Sequence, residues 1–339
     1  MKKYSLKKEQ LYKIFESFND LNVLIIGDVM VDAYMWGNVS RISPEAPVPI
    51  LTVKKKEKRL GGAANVALNV QAMGANPILC SVIGVDYEGL QFLDLLKVQR
   101  LSQKGILKSR DRLTTTKTRV IGNNQQMIRV DEETEEDVQQ TESQTLLQMI
   151  SYIIQHDKID VIIFEDYNKG LITPKLIQKV VELAKEKGIP TAVDPKKKNF
   201  QAYKGVTLFK PNLKELKEGL KMDFDLENIP EIQRAISSFR VKQKFETAIV
   251  TLSEKGILTN SRKVKEHLPA HIRKIADVSG AGDTVISVAA LCRALDLHPT
   301  LTAALSNLAG GLVCEQVGVV PINKEHLLEE ALELEFVKK

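Results

Sequence analysis

The sequence is poor in cysteine, in aromatic residues and in long apolar segments. Only three cysteines occur among 339 residues, Cys80, Cys292 and Cys314, and none stands in a CxxC pair or at the Cys/His spacing of a zinc site. We therefore expect buried free thiols in a reducing compartment. No apolar run reaches membrane length, and residues 1–19 lack the apolar core of a signal peptide. These absences predict a cytoplasmic protein that has no membrane partner.

The sequence also lacks a strong excess of charge of either sign. Its 48 Lys and Arg residues against 43 Asp and Glu give a net charge of +5. This mild excess suits anionic small molecules but is too small for the footprint of a nucleic-acid-binding protein. Hydrophobic residues at 43% and charged residues at 27% are ordinary for a globular protein. We expect a folded protein that does not bind nucleic acid.

Apolar runs alternate with helical patterns along the chain. Runs typical of buried strands lie at 22–27, 78–83, 161–164, 191–193, 206–209 and 248–252. Helical patterns lie at 63–73, 135–155, 175–187 and 232–239. Continuous apolar strands suit a sheet that is covered on both faces. The alternation therefore predicts a doubly wound, mostly parallel α/β sheet with helices on both faces.

Two segments do not follow that pattern. Val48–Val53 and Thr114–Asp131 alternate polar and apolar residues, as strands with one solvated face do. No internal repeat or flexible linker divides the chain. We expect a single domain over residues 1–339, with lid strands inserted at about 36–57 and 112–131 that close over the functional site.

The strongest chemical motif is Asp277–Thr284, which contains Gly280, Ala281, Gly282 and Asp283 and directly precedes the helical pattern of 285–295. Glycines at a helix N-terminus let the backbone approach a phosphate, and the unpaired N–H groups stabilise its negative charge. Asp283 is placed to accept a hydroxyl proton during phosphoryl transfer. The alternative is a tight turn with a capping aspartate. A dinucleotide fold is rejected because the third glycine is missing.

A second motif begins at Gly61-Gly62, where paired glycines open a helix and Asn65 offers its amide to sugar hydroxyls. The alternative is a tightly packed helix start. Together the two motifs resemble the signatures of the ribokinase-like (PfkB) carbohydrate kinases, in the same order and over nearly the whole chain. The resemblance implies the ribokinase-like fold with a small strand lid, the use of ATP and Mg²⁺, and Asp283 as the catalytic base within the anion hole.

The resemblance assigns further positions to the two substrates. Asp28 and Asp32 match the sugar-hydroxyl acceptors, although aspartates that cap a turn are the alternative. The family's Asn-x-x-Glu element corresponds to Asn212, Leu213, Lys214 and Glu215. In this element Glu215 would order the magnesium shell through water, and a chance glutamate at a surface helix is the alternative. Nucleotide contacts are expected at Thr251, Glu254, Gly256 and Asn307. The contacts expected for the adenine base of the nucleotide match less well, because Glu315-Gln316 stands where the family often has a lysine.

Within the family, Gly27–Asp32 and Ser40–Pro49 resemble the D-glycero-β-D-manno-heptose 7-phosphate kinases of lipopolysaccharide core synthesis. This resemblance implies transfer of the ATP γ-phosphate to the anomeric hydroxyl, giving the 1,7-bisphosphate. A substrate that already carries a phosphate needs cationic partners. The candidates are Arg41, Arg119, Arg129, Lys169 and Lys196. For the two lysines a solvated surface position is the alternative. Since 339 residues leave no room for the nucleotidyltransferase domain fused to many relatives, we expect the kinase alone.

Several alternatives stay open at this stage. A PfkB kinase for another sugar or a nucleoside would carry the same anion hole, base and Asn-x-x-Glu element. A nucleotide- or sugar-binding regulator without turnover is the alternative from another class, but it would have no need of Asp283. The family's lid-mediated dimers predict a homodimer through the lid strands. The resemblance also raises the question of a monovalent cation beside the anion hole.

Overall fold

Strands and helices alternate along most of the computed structural model, which describes residues 4–225 and 228–338. The strands are β1 (Leu6–Lys7), β2 (Asn22–Gly27), β3 (Val29–Ile42), β4 (Pro49–Gly62), β5 (Asn76–Gly84), β6 (Gly105–Ser109), β7 (Thr116–Gly122), β8 (Gln125–Glu132), β9 (Val161–Glu165), β10 (Thr191–Asp194), β11 (Leu208–Phe209), β12 (Thr247–Thr251), β13 (Ile257–Ser261), β14 (Lys265–Leu268) and β15 (Val337–Lys338). The helices are α1 (Lys8–Ser17), α2 (Ala63–Ala72), α3 (Tyr87–Val98), α4 (Gln140–His156), α5 (Pro174–Glu186), α6 (Leu213–Leu220), α7 (Ile229–Gln243), α8 (Ala281–Ala294), α9 (Pro299–Val313) and α10 (Lys324–Leu332). None of the helices in these two ranges is long and apolar enough to span a bilayer.

A nine-stranded sheet forms the centre, in the order β14-β13-β12-β11-β10-β9-β2-β5-β6. The seven strands from β12 to β6 are parallel, and β13 is antiparallel to both of its neighbours. Along β2, Val23 and Ile25 pack into the core that includes α2, α8 and α9, whereas Leu24 and Ile26 pack into the core of α4, α5 and α7. Because successive side chains point to opposite faces, a wholly apolar strand supplies both cores. The doubly wound α/β class is confirmed.

A second sheet has four strands in the order β4-β3-β7-β8. Strands β3 and β4 form a long antiparallel hairpin, and β7 joins β3 in parallel. Strands β7 and β8 are joined by Asn123 and Asn124, both at positive φ (52° and 64°). Two residues in this conformation match the twist of a tight hairpin, and asparagine tolerates it better than most residues. All eight residues of β8 are exposed.

The strand and helix boundaries differ from the sequence expectation in several places. The second sheet begins at Val29, where β3 starts, although lid strands were expected only from about residue 36. Gly61 and Gly62 end β4 as well as opening a helix, since Gly62 is also the N-cap of α2, which begins at Ala63. The helix expected from residue 135 begins at Gln140. Strands β6, β13 and β14 were not predicted, because they are short and carry polar residues.

The carboxyl ends of four adjacent parallel strands bring charged residues to one edge of the central sheet. Strand β2 is followed by Asp28, β9 ends at Glu165, β10 ends at Asp194 and β11 is followed by Lys210. Their order in the sheet is β11, β10, β9 and β2, so these residues lie side by side. Ligands of open α/β sheets bind outside the carboxyl ends of the strands. The charged residues at this edge therefore form the candidate functional site.

Candidate active site

Helix α8 begins directly above this edge of the sheet. Its N-cap, Gly280, has φ 80°, and a Cβ there would lie 3.0 Å from Asn65 Nδ2, so the position requires glycine. The preceding turn is held by the Asp277 carboxylate, which accepts from the Ser279 amide (2.9 Å) and the Gly318 amide (3.0 Å). The first turn of a helix leaves N–H groups without intrahelical partners. The α8 N-terminus can therefore stabilise an anion such as a phosphoryl group.

Asp283 lies in the first turn of α8 and is buried. Its Oδ2 accepts from Asn65 Nδ2 (2.6 Å) and its Oδ1 accepts from the Tyr167 hydroxyl (2.8 Å). Burial raises the pKa of Asp283 to about 6, against the two hydrogen bonds, which lower it. A carboxyl group with this pKa is ionised at neutral pH and still accepts a proton readily. The capping alternative receives no support, because the Asp283 side chain bonds α2 and the segment after β9, not its own helix.

Two lysines that follow β10 and β11 lie beside the start of α8, Lys210 buried and Lys196 half-buried. Lys210 Nζ forms an ion pair with Asp194 Oδ2 (2.7 Å) and donates to the Gly282 carbonyl (3.4 Å). The lysine is 2% exposed, and its pKa is raised because the carboxylates of Asp194 and Glu215 outweigh the effect of burial. Lys196 Nζ lies 3.6 Å from Asp194 Oδ1 and is hydrogen-bonded to Glu215. Two ammonium groups, each paired with a carboxylate, thus lie beside the anion-binding turn.

The Asn-x-x-Glu element forms the start of α6. The Asn212 side chain accepts from the Glu215 amide and the Glu215 carboxylate accepts from the Asn212 amide, both at 2.8 Å. This reciprocal capping box holds Glu215 at the sheet edge. Burial and Asp194 raise the pKa of Glu215. Leu213 and Lys214 form the first turn between the two capping residues, and the Lys214 side chain is exposed.

The oxygen atoms near Glu215 suit a magnesium ion that is bound mainly through water and substrate. In residues 4–225 and 228–338, no group of three or more acidic, histidine or cysteine side chains is arranged to hold a metal unaided. Buried Asp194 Oδ1 nevertheless lacks a hydrogen-bond partner among the described atoms. Mg²⁺ prefers oxygen ligands and commonly binds through one or two carboxylates together with substrate phosphates. The donor set therefore fits the ion.

Glu165, at the end of β9, was not predicted as a site residue. It is fully buried, and neither carboxylate oxygen has a hydrogen-bond partner among the described atoms. Burial, followed by the negative charges of Asp194 and Asp283, raises the pKa of Glu165 well above its usual range. The surroundings of this side chain therefore disfavour its ionised form.

Asp28 and Asp32 lie on the opposite side of Asp283 from the lysines. The Asp28 carboxylate accepts from the amides of Tyr167 (2.9 Å), Lys169 (3.1 Å) and Leu171 (3.2 Å). Since a carboxylate offers about four acceptor positions, about one remains for a sugar hydroxyl. Burial, and then the charge of Asp166, raises the pKa of Asp28 to about 6.

Asp32 pairs with the guanidinium of Arg119 (2.5 Å), and a Cβ at Gly61 would overlap Asp32 Oδ2. Gly62 has φ 60° and approaches the Asp28 carbonyl closely. The two glycines therefore allow β4 to pass over both aspartates. The Arg119 guanidinium also lies 5.2 Å from the ring centre of Tyr34, and Arg59, a residue that was not predicted, lies 5.1 Å from the same ring.

Other predicted phosphate partners lie elsewhere or are already paired. Arg41 and Arg129 are exposed on the second sheet, where Arg129 pairs with Asp131 (2.9 Å). Lys169 is buried, and its ammonium pairs with Glu133 (2.8 Å) and Glu135 (3.3 Å). Of the five candidates, only Arg119 and Lys196 pair directly with an aspartate of the site.

The predicted nucleotide contacts flank the Asn-x-x-Glu element. Thr251 ends β12 and donates its amide to the Pro211 carbonyl (3.1 Å), which places it beside Asn212. Gly256 has φ 88° in the turn that follows, and Glu254 is exposed there. Asn307, on α9, donates to the Pro269 carbonyl (2.8 Å). These residues form one flank of the site, and their contacts with a nucleotide stay a prediction.

A buried carboxylate at an anion-binding helix start can accept a proton beside a bound phosphoryl group. A family model described as pfkB family carbohydrate kinase matches residues 20–325. The chain belongs to this family, and is a phosphotransferase with an alcohol group as acceptor.

Curated relatives and solved structures agree with this assignment. The chain is 36% identical over 325 residues to the bifunctional protein HldE of Syntrophotalea carbinolica, covering 96% of this chain and 66% of that protein. It is 39% identical over 310 residues to HldE of Methylobacillus flagellatus, covering 91% of this chain and 62% of the relative. The chain therefore spans slightly less than two thirds of these proteins.

Two solved structures show the same fold at low sequence identity. Phosphofructokinase-2 from Escherichia coli, in complex with potassium, has a TM-score of 0.76 at 16% identity, covering 92% of this chain and 97% of that one. Ribokinase from Arabidopsis thaliana, complexed with ribose and ATP, has a TM-score of 0.70 at 15% identity, covering 93% and 99%. The ribokinase-like fold is confirmed.

Proposed function

We propose that this chain transfers the γ-phosphate of ATP to the anomeric hydroxyl of D-glycero-β-D-manno-heptose 7-phosphate, giving the 1,7-bisphosphate. The position of Asp283 supports the transfer, because a buried carboxylate with a pKa of about 6 lies in the anion-binding turn of α8. The likeness to relatives named HldE and the motif at Ser40–Pro49 support the heptose phosphate. The product would be an intermediate in the biosynthesis of an activated sugar for lipopolysaccharide.

The chain's own residues account for the movement of the proton and the charge. Asp283 accepts the proton of the attacking hydroxyl, while Asn65 and Tyr167 hold its two oxygens. Amides of the α8 N-terminus face the transferred phosphoryl group, whose negative charge they stabilise. Lys210, fixed by Asp194, adds a buried positive charge beside the same turn. Aligning the reactants and matching their charge is the main work of such catalysis.

Glu215 would hold the water shell of Mg²⁺, with Asp194 as a neighbouring oxygen donor. When bound, the ion neutralises charge on the triphosphate. Thr251, Glu254, Gly256 and Asn307 would contact the nucleotide on the same side. A monovalent cation beside the anion hole is a further proposal, supported by the potassium complex of the E. coli neighbour.

The phosphate already on the substrate would lie near Arg119 and Arg59. Their guanidiniums lie on the same tyrosine ring, and Arg119 is tied to Asp32, a proposed sugar acceptor. Arg59 also donates to the Val319 carbonyl (3.3 Å), in the loop beside Gly318, which contacts the α8 turn through Asp277. Both arginines belong to the second sheet, Arg59 on β4 and Arg119 on β7, whereas Lys196 and Lys210 follow strands of the central sheet.

We also propose that residues 4–338 work as one kinase domain in which the second sheet is a lid. Strand β3 follows Asp28 directly, and β4 ends at the glycines that pass over the two aspartates. Because these strands carry Asp32 and Arg59, a movement of the sheet would directly displace the proposed contacts to the sugar and its phosphate. We expect a cytoplasmic enzyme that forms a homodimer through this sheet.

A coupled assay of ATP consumption over a panel of phosphorylated and free sugars tests the function. Heptose 7-phosphate is expected to be used far better than fructose, ribose or adenosine, with the six-carbon mannose phosphate as a weaker mimic. Arg59→Gln should raise KM for phosphorylated sugars and leave KM for ATP nearly unchanged; Arg129→Gln, on the exposed strand, is the matched control. Equal turnover of an unphosphorylated sugar would reject the heptose phosphate and favour another PfkB sugar or nucleoside kinase. Absence of any sugar-dependent turnover in the folded protein would favour a binding regulator.

A further inference from the structure

Tyr167 connects the two carboxylates on which the proposed reaction depends. Its amide donates to Asp28 Oδ2 (2.9 Å), and its hydroxyl donates to Asp283 Oδ1 (2.8 Å). These two aspartates belong to different elements, since Asp28 follows β2 and Asp283 lies on α8. Tyr167, which lies in the segment after β9, therefore fixes Asp283, the proposed base, relative to Asp28, a proposed sugar-hydroxyl acceptor.

The ring of Tyr167 is itself held in place. Lys196 Nζ lies 5.4 Å from the ring centre, within range of a cation–π contact. Burial, followed by the nearby charge of Asp283, raises the pKa of Tyr167 well above its usual range. The phenol therefore keeps its proton over the working pH range and remains a hydrogen-bond donor.

Asp283 has one donor on each oxygen, Asn65 on Oδ2 and Tyr167 on Oδ1. The charged and titratable groups of the surrounding elements are Glu165 at the end of β9, Asp194 at the end of β10, Lys196 after β10 and Lys210 after β11. Of the hydrogen-bond donors to Asp283, only the phenol is attached to the segment that also holds Asp28.

We propose that Tyr167 is a positioning residue for the proton transfer: its phenol fixes the Asp283 carboxylate, and its amide ties that orientation to Asp28. The inference rests on the proposed function, with Asp283 as the base. Tyr167 neither gives nor takes a proton in the reaction. It holds the rotation of the carboxylate, so that an unoccupied acceptor position of Asp283 faces the sugar hydroxyl.

Tyr167→Phe removes the phenol hydroxyl and keeps both the ring and the amide bond to Asp28. We expect kcat to fall about 10- to 100-fold, as loss of a hydrogen bond to a charged group implies, while KM for the sugar changes little. In the unchanged chain this hydrogen bond lowers the pKa of Asp283. Its loss should therefore raise that pKa and move the acid limb of the kcat profile to higher pH. A purely structural role would move neither the pH limb nor the ratio of kcat to KM.

Tyr203→Phe is a matched control. Tyr203 is a fully buried tyrosine whose hydroxyl donates to Asp166 Oδ2 (2.7 Å), so this variant also removes a phenol–carboxylate hydrogen bond. It does not contact Asp283. We expect the acid limb of Tyr203→Phe to coincide with that of the unchanged chain. An equal shift in both variants would overturn the proposal, as would an unchanged profile and kcat in Tyr167→Phe.

A readout without turnover separates this inference from the proposed function. The free energy of unfolding of Asp283 and Asp283→Asn chains is compared from pH 4 to 8, with and without Tyr167→Phe. If Tyr167 acts on Asp283, the stability difference between the two chains should level off at a higher pH in the Phe background, so that the midpoint of this difference moves upward. An unmoved midpoint overturns the inference even if the enzyme is active. Wild-type protein inactive on every sugar, but with a moved midpoint, would instead reject the proposed function and leave the contact in place.

Discussion

Replacing Asp283 with asparagine tests the base assignment most directly. The substitution keeps the size of the side chain and removes its ability to accept a proton. Both hydrogen bonds can be kept, since the amide oxygen accepts from Asn65 and the amide nitrogen donates to the Tyr167 oxygen, a hydroxyl that can also accept. Loss of a general base costs on the order of 10²–10⁴ in rate. We expect turnover to collapse while sugar and nucleotide still bind.

The same variant should be more stable than the unchanged chain at neutral pH. The pKa of Asp283 is raised from 3.8 to about 6, so the folded protein binds this proton more tightly than the unfolded chain. The contribution of Asp283 to stability is fully present below the unfolded value and is lost as pH rises through about 6. The raised pKa corresponds to a penalty of about 3 kcal/mol above both values. Asparagine removes this penalty.

Two properties of Asp283→Asn are measured. Steady-state kinetics and sugar binding test the catalytic role of Asp283, and denaturant unfolding at pH 4 and pH 7.5 tests the effect of its burial on stability. We expect the Asn variant to gain stability at pH 7.5 and to gain little or none at pH 4. Near-normal turnover in a folded variant would refute the catalytic role of Asp283. A stability difference that is the same at both pH values would refute the reasoning about its burial.

Two further predictions concern the metal and the second sheet. Glu215→Gln should raise the Mg²⁺ concentration needed for half-maximal rate, because a neutral amide binds the ion's water shell less strongly while still capping α6. Glu218→Gln, on the same helix, is the control. An unchanged Mg²⁺ dependence in Glu215→Gln would remove Glu215 from the proposed metal site. Light scattering should show a dimer, because Ile128 and Val130 are exposed (57% and 47%) on β8. Ile128→Glu should weaken the dimer and Val241→Glu, at an exposed position of α7, should not. An active monomer at assay concentration would contradict the lid interface.

The central sheet could be predicted because its strands are buried on both faces. Such strands are continuous apolar runs, and β2 occupies the residues expected for it, Asn22–Gly27. The first half of strand β3 was missed because the strand has no single environment along its length. Its first half is buried against the core and its second half is exposed. No one periodicity describes such a strand, so its pairing with β4 becomes visible only in the tertiary structure.

The site could be predicted only where one short segment carries its chemistry. Gly280 and Asp283 belong to such a segment, and a helix follows them directly. The partners of Asp283 are Asn65 and Tyr167, which lie 218 and 116 residues away in the sequence. No local pattern reports a contact over such a distance. Asn65 was accordingly expected to bind sugar hydroxyls, and its hydrogen bond to Asp283 was not foreseen.

The base strength of Asp283 results from a balance that the neighbouring elements set. Burial raises the pKa of Asp283 and the two donors lower it, while Asp194 and Lys210 act in opposite directions beside it. Because Lys210 is paired with Asp194 at 2.7 Å, their effects on Asp283 partly cancel. The carboxylate is therefore ionised at neutral pH without being stabilised so strongly that it loses its affinity for a proton, which is the compromise a general base requires.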